Sequence, residues 1–186
     1  MHEVKIRLAK NHTIHCKDER ATAEAVRILA NAILAFYTPT PQKPQSLFIS
    51  LDGDLGAGKT TATRYLLQAM GYGGKVKSPT YSLCEEHILD LPNEALHIFH
   101  FDLYRMQSPE EWVEAGLLEH FTQSENPTLC IIEWPEKAEY TLPTIDLSIT
   151  LMHPNQQESE LARTVVIEAN TVKGEAILQS ISSRNH

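Results

Sequence analysis

The chain has 186 residues, of which 42% are hydrophobic and 22% are charged, values that are ordinary for a globular protein with a buried core. Its net charge of −8 argues against tight, direct binding of nucleic acid, because a surface that neutralises phosphates needs clustered Lys and Arg. No apolar run approaches the roughly 18 residues of a membrane span, and the three widely spaced cysteines are typical of reduced thiols. We therefore expect a single domain spanning residues 1–186, located in the cytoplasm and not associated with a membrane.

The first half of the chain is predicted to contain two units in which a strand precedes a helix. Alternating polar and apolar residues at 3–8 indicate a strand, and apolar residues at helical spacing over 18–36 indicate a helix. Three prolines in the polar stretch 38–46 predict an extended surface connection. A short apolar run at 47–51 is then expected to form a buried strand, and the helical pattern at 60–70 to follow it.

The second half is predicted to contribute further strands and two more helices. The strands fall at about 81–89, 96–101, 128–132, 145–151 and 164–167. A polar turn joins the first two, which are expected to form a hairpin or an adjacent strand pair. The last two are expected to be antiparallel strands around a polar loop. Ser108 is a typical helix cap, and another helix follows Thr171. Helices interleaved with strands and hairpins favour an α/β fold whose central sheet is mixed but mostly parallel.

Residues 53–60 read Gly-Asp-Leu-Gly-Ala-Gly-Lys-Thr and match the phosphate-binding pattern G-x-x-x-x-G-K-[ST]. Glycines let successive backbone N–H groups point at phosphate oxygens, Lys59 supplies a cation for the outer phosphates, and the Thr60 hydroxyl is a ligand suited to Mg²⁺. The expected nucleotide contacts are Asp54, Leu55, Gly56, Ala57, Gly58, Lys59, Thr60 and Thr61. A strand, this loop and a helix in that order predict a P-loop NTPase-type three-layer sandwich that binds ATP or ADP with Mg²⁺.

Two of the predicted strands end in a carboxylate, Asp102 and Glu133. In an open α/β sheet, ligands bind outside the carboxyl ends of the strands, where a triphosphate with Mg²⁺ needs acidic residues. Asp102 fits a metal-holding role, and Glu133 fits either the orientation of an attacking water or a metal contact. The alternative is that each acid simply ends its strand at the surface. Trp134 is either a core residue or a shield beside Glu133.

His97 and His100 resemble a metal-binding pair by their short spacing. Residues three positions apart on a strand point to opposite faces of the sheet, however, so we expect these two side chains to lie apart.

With these residues in place, the chain resembles the TsaE (YjeE) family, P-loop ATPases required for threonylcarbamoyladenosine modification of tRNA in bacteria. Four segments carry the resemblance, in the order and at a spacing similar to those of the family. They are 53–61 (Gly-Asp-Leu-Gly-Ala-Gly-Lys-Thr-Thr), 78–81 (Ser-Pro-Thr-Tyr), 100–105 (His-Phe-Asp-Leu-Tyr-Arg) and 132–135 (Ile-Glu-Trp-Pro). The chain departs from the family in its longer proline-rich connection at 38–46 and in lacking a glycine often found in the first helix.

The resemblance implies roles for residues of this site. Thr60 and Asp102 would serve Mg²⁺, with Glu133 near the metal, and Lys59, Glu133 and Trp134 would be needed for hydrolysis. Segment 78–81 would act as a switch-like loop in which Thr80 senses the γ-phosphate; from the residues alone, a proline-restricted turn entering a strand is the simpler interpretation. The resemblance also places Glu19 and Arg163 at the adenine end. It implies TsaB and TsaD as partners, with tRNA reached indirectly through their complex.

Two other functions are open on a P-loop fold. A small-metabolite kinase usually clamps the transferred phosphate with several arginines, whereas this chain has no Arg between Arg64 and Arg105 and only seven in all. The second alternative is a nucleotide-gated binding module with negligible turnover. The presence of Asp102 and Glu133 speaks against it.

Overall fold

Seven strands form one sheet in the computed structural model, which describes residues 10–38, 45–79, 82–114, 116, 125–155 and 158–182. In chain order the strands are β1 Lys10–Cys16, β2 Ser46–Asp52, β3 Cys84–Asp90, β4 Ala95–Asp102, β5 Thr128–Glu133, β6 Leu147–Met152 and β7 Arg163–Ala169. Their order across the sheet is β1-β7-β6-β2-β5-β4-β3. The neighbours β6, β2, β5 and β4 are parallel, and β7 and β3 run against them, which confirms a mixed sheet in which most strands share one direction.

The apolar runs of the sequence occupy the centre of this sheet. Strand β2 has its five interior residues buried, and every residue of β5 is buried. Parallel strands covered on both faces read as continuous apolar runs, which is why these two were recognisable from sequence. Because β2 and β5 are parallel neighbours, their carboxyl ends lie side by side at one edge of the sheet.

Three helices cover one face of the sheet. They are α1 Glu19–Tyr37, α2 Lys59–Ala69 and, near the end of the chain, Val172–Ser182, which is numbered α4 below. Their apolar side chains join those of the sheet in one large buried cluster. The Asp18 side chain caps α1 by accepting a hydrogen bond from the Ala21 N–H at 2.8 Å.

The other face is covered by shorter elements. Helix α3 Glu110–Glu114 and two 3₁₀ turns, Pro135–Lys137 and Glu139–Thr141, lie there. The buried Trp112 packs edge-on against Phe101, with the ring centroids 4.9 Å apart. Helices or helical turns on both faces give the three layers expected for this fold class.

Most of the predicted elements are observed within a few residues of their expected bounds. Both predicted hairpins are present, as the pairs β3–β4 and β6–β7. Strand β1 was not predicted, and the strand expected at 3–8 and residues 39–44 of the proline-rich connection lie outside the described residues. All three cysteines are free. The prediction of a single domain over 1–186 stays a prediction.

No helix in the described ranges combines the length and the hydropathy that crossing a membrane requires.

Candidate functional site

The glycine-rich loop lies between β2 and α2, and its shape requires glycine. Gly53 has φ of 135°, and a Cβ there would lie 2.3 Å from the Leu151 carbonyl oxygen. Gly58 has φ of 104° and is the N-cap of α2. Since Gly58 has no side chain to cap the helix, the first N–H groups of α2 face the loop as a ready-made site for an anion.

Lys59, the first residue of α2, is only 4% exposed and points back into the loop. Its Nζ donates to the carbonyl oxygens of Gly53 and, at 3.1 Å, of Asp54. The same ammonium lies 3.6 Å from the centroid of the Trp134 ring. Burial lowers the pKa of Lys59, and Glu133 is the strongest of the acids that oppose this. The cation is thus held at the loop by carbonyls and an aromatic face.

The two predicted acids meet the loop at the carboxyl ends of β4 and β5. The parallel register of these strands places Asp102 directly beside Glu133. The Thr60 hydroxyl donates to Glu133 Oε2 at 3.1 Å, and Glu133 is 2% exposed. The Ser78 hydroxyl and the Tyr104 N–H, the latter at 3.2 Å, donate to the Asp102 carboxylate. The arrangement that sequence predicted, two strand-end carboxylates beside a phosphate loop, is therefore observed.

The oxygen donors at this point suit Mg²⁺. The ion is usually bound through one or two carboxylates together with waters and substrate phosphates, and Thr60, Asp102 and Glu133 supply donors of that kind. Within the described ranges, no three or more His, Cys, Asp or Glu side chains are grouped so that they could hold a metal ion. The residues fit a cation bound mainly through phosphate and water, not a dedicated protein cage.

His100 contacts Glu133 from the side opposite Thr60. Its Nε2 lies 2.8 Å from Glu133 Oε1, and its ring is completely buried. His97 lies apart, as expected, with its Nδ1 2.6 Å from Glu86 Oε1. The sequence pattern did not predict His100 as a site residue. The available signal was its position two residues before Asp102, on the same face of the strand.

Trp134 lines the site and also packs against the buried apolar side chains on that face of the sheet. Its ring contacts the Lys59 ammonium and lies 4.9 Å from the Tyr104 ring, centroid to centroid. The residue adopts φ of 60° and ψ of 52°, a left-handed conformation that is uncommon for a residue other than glycine. This turn directs the chain away from β5 immediately after Glu133.

These side chains surround a cleft of about 440 Å³. It is lined by Leu55, Gly56, Gly58, Lys59, Thr60, Thr61, Ser78, Asp102, Tyr104, Arg105, Glu133 and Trp134. Ser78, Tyr104 and Arg105 belong to motifs that carried the resemblance, but they were not predicted to be site residues. Their contribution depends on how two loops fold over the strand ends, which spacing alone does not reveal.

A second pocket of about 230 Å³ adjoins the first across Gly56, Gly58 and Thr61. Glu19 and Arg163, the residues assigned to the adenine end, both line it. Arg163 Nε donates to the Ala57 carbonyl at 2.9 Å, and Glu19 accepts a hydrogen bond from the Tyr65 hydroxyl. Two residues distant in sequence are thus brought together beside the phosphate loop.

The sequence that forms this site matches the model of a known protein family. The sequence model described as "Threonylcarbamoyl adenosine biosynthesis protein TsaE" matches residues 16–165, which include both pockets. This chain belongs to the TsaE family. The match spans all of the strands from β2 to β6 and the phosphate loop.

Curated relatives carry the name of the same family, and a solved structure has the same fold. A tRNA threonylcarbamoyladenosine biosynthesis protein TsaE from Haemophilus influenzae is 34% identical over 171 residues, covering 92% of this chain and 98% of that protein. The TsaE protein of Bacillus subtilis is 32% identical over 143 residues, covering 77% and 81%. The crystal structure of Bacillus subtilis YdiB superposes with a TM-score of 0.66 at 22% identity, covering 97% of this chain and 99% of that one, which supports the fold.

The remaining predicted residues of this TsaE family member are placed as follows. Asp54 lines neither pocket, and its carbonyl contacts Lys59, whereas Ala57 lines the second pocket. Thr80, the predicted γ-phosphate sensor, lies outside the described residues together with Tyr81. The functional roles assigned from sequence stay predictions.

Proposed function

We propose that this chain is a Mg²⁺-dependent ATPase that acts as an accessory subunit of the bacterial machinery for threonylcarbamoyladenosine modification of tRNA, together with TsaB and TsaD. The observation that carries the proposal is the convergence of Lys59, Thr60, Asp102 and Glu133 on one cleft at the strand ends. The curated relatives named as tRNA threonylcarbamoyladenosine biosynthesis proteins supply the pathway.

ATP or ADP is the ligand that the two adjoining pockets fit. The larger cleft offers the start of α2 and the Lys59 ammonium to the phosphates. The smaller pocket, with Glu19, Tyr65 and Arg163, offers polar groups to the nucleoside. Because both share the loop glycines, one extended ligand occupies them together, with its phosphates at the loop.

The catalytic chemistry is assigned to the strand ends. Thr60, Asp102 and Glu133 would hold Mg²⁺, which when bound neutralises charge on the phosphates. Thr60 contacts Glu133 Oε2, and in this proposal that oxygen would accept a hydrogen bond from the attacking water. Trp134 covers the Lys59 ammonium, and Tyr104 packs beside the Trp134 ring, so the two aromatic rings would limit the access of other water to this point.

We expect the isolated chain to hydrolyse ATP slowly. One arginine lines each pocket: Arg105 the larger cleft and Arg163 the smaller one. A phosphate-transferring kinase closes a larger set of arginines over its substrate. In many P-loop switches a further arginine arrives from a partner. The net charge of −8 likewise favours tRNA contact through partners over direct contact.

Reconstitution with TsaB, TsaD, tRNA and threonylcarbamoyl-adenylate tests the function. With wild type we expect repeated rounds of tRNA modification, and with Lys59→Ala or Asp102→Ala we expect them to stop. Lys59→Ala removes a charged contact to phosphate worth roughly 1.5–3 kcal/mol, so calorimetry should show at least about tenfold weaker ATP binding. Multiple-turnover modification that proceeds equally well without this chain, or with either variant, would contradict the proposal.

A further inference from the structure

His100 is positioned behind Glu133 and not in the cleft. It lies on β4, is 0% exposed, and its Nε2 approaches Glu133 Oε1 at 2.8 Å. An ionised carboxylate only accepts hydrogen bonds, so the Nε2 of His100 is the nitrogen that carries the hydrogen in this contact. The contact thus fixes both the tautomer of the histidine and the orientation of the carboxylate.

Glu133 is held from two sides. Thr60 contacts Oε2 at 3.1 Å from the cleft, and His100 contacts Oε1 from the interior of the sheet. The Thr60 hydroxyl is also the predicted ligand of the cation. The His100 contact engages the other carboxylate oxygen, and His100 itself is not a predicted ligand of the nucleotide or the cation.

Stability alone explains His100 poorly. Its Nδ1 is buried and has no hydrogen-bond partner among the described residues, an arrangement that costs free energy. Its neighbours on the same face include Ile98 on β4 and, across the two ladders, Ile131 on β5 and Glu85 on β3. Because the buried Nδ1 gains no hydrogen bond from these neighbours, the polar ring is best explained by what its Nε2 does.

We propose that His100 is a positioning residue that holds the Glu133 carboxylate in the orientation needed for hydrolysis. The inference rests on the proposed function, because it concerns ATP turnover at this cleft. It assigns a share of the catalytic rate to a residue that does not line the cleft. His100 would act through the Glu133 carboxylate, whose other oxygen contacts Thr60. Partners that orient a catalytic side chain act on kcat more than on substrate affinity when they do not touch the substrate.

A pair of amide substitutions separates positioning from packing. The side-chain nitrogen of Gln in His100→Gln reaches the place of Nε2, whereas that of Asn in His100→Asn reaches only the place of Nδ1. We expect kcat for ATP hydrolysis to fall by about 10–100-fold in His100→Asn, the range typical of losing an orienting partner, and by clearly less in His100→Gln. KM for ATP should stay at the wild-type value in both. His97→Asn, on the opposite face of the same strand, is the matched control and should leave kcat unchanged.

The outcomes distinguish this inference from the proposed function. Equal kcat values for the Asn and Gln variants, a wild-type kcat in His100→Asn, or failure of both variants to fold as judged by circular dichroism would overturn the positioning role. If His100→Asn retains full kcat while Glu133→Gln loses it, the proposed function stands and only the role of His100 is wrong. If the wild-type protein has no ATPase activity, both are wrong.

Discussion

Glu133 and Asp146 are two buried carboxylates at opposite ends of the sheet, and they have different surroundings. Glu133 ends β5 and Asp146 immediately precedes β6; they are 2% and 1% exposed. Asp146 accepts hydrogen bonds from the Phe48 N–H at 2.9 Å and the Thr171 hydroxyl at 2.6 Å, and it pairs with Lys173 at 3.1 Å. Together these donors tie β2 and the start of α4 to one point.

Glu133 has a different set of contacts. Its described hydrogen-bond partners are the side chains of Thr60 and His100, and it lines a cleft of about 440 Å³. A carboxylate held by a backbone N–H, a hydroxyl and a lysine away from any described cleft fixes the fold. One held by two side chains at the edge of a cleft can exchange a partner for water or a cation. Burial by itself therefore does not distinguish a structural acid from a catalytic one; the identity of the donors does.

Replacement of Glu133 is expected to give the largest effect. Glu133→Gln keeps the shape of the side chain but loses the charge that orients water, so ATP hydrolysis should fall by about 10²-fold or more while ATP still binds. The measurement is single-turnover hydrolysis alongside calorimetric binding. Asp146→Asn, the same chemical change at the other buried acid, should leave the rate per folded molecule unchanged. Full activity in Glu133→Gln would return Glu133 to the role of an acid that merely ends a strand.

Removal of the Asp146 carboxylate should affect stability instead. Asp146→Ala leaves the buried Phe48 N–H and the Thr171 hydroxyl without this acceptor, which should lower the free energy of unfolding by about 2–3 kcal/mol. The expected fall in melting temperature is roughly 5–10 °C for a chain of this size, measured by calorimetry. ATP affinity of the folded fraction should be unchanged. Loss of ATP binding with normal stability would show that the two acids do not divide the roles in this way.

The contrast also explains which residues could be predicted from sequence. Lys59, Thr60, Asp102 and Glu133 were found because a phosphate loop has a fixed spacing and parallel strands end at a common edge. His100 was missed since its role depends on the register of β4 against β5. Thr60 and Glu133 are 73 residues apart in sequence, and only the fold shows that their side chains meet.

Other parts of the structure could not be predicted from the spacing of apolar residues. Asp146 was missed because its partners come from β2 and from the turn into α4, up to 98 residues away. Strand β1 reads Lys-Asn-His-Thr-Ile-His-Cys, in which Ile14 and Cys16 are the apolar residues, and it lies at the edge of the sheet. Natural edge strands often carry polar or charged side chains that discourage pairing with another chain, and in β1 such residues weaken the pattern of a buried strand.

The smallest expected effect is a pH dependence of stability that arises from His87 on β3. His87 is also buried, so it extends the comparison from the two carboxylates to a histidine. Its Nδ1 lies 3.2 Å from the Tyr72 hydroxyl, and its Nε2 has no hydrogen-bond partner among the described residues. Burial, and secondarily the nearby His100, lower the pKa of His87 below its ordinary value of 6.5. Like Glu133, it is held by a side chain and not by the backbone.

The direction of the pH effect follows from that lowered pKa. Between the folded-state pKa and about 6.5 the unfolded chain binds more protons than the folded one, so stability should be complete above about pH 6.5 and fall as the pH drops through this window. The slope contributed by one histidine is at most about 1.4 kcal/mol per pH unit. In His87→Phe this part of the acid destabilisation should disappear, as measured by urea unfolding at pH 7.5 and 5.5. Tyr72→Phe, which removes the neighbouring hydroxyl but keeps the histidine, should retain this acid destabilisation. An identical pH dependence of stability in wild type and His87→Phe would show that His87 does not contribute to it.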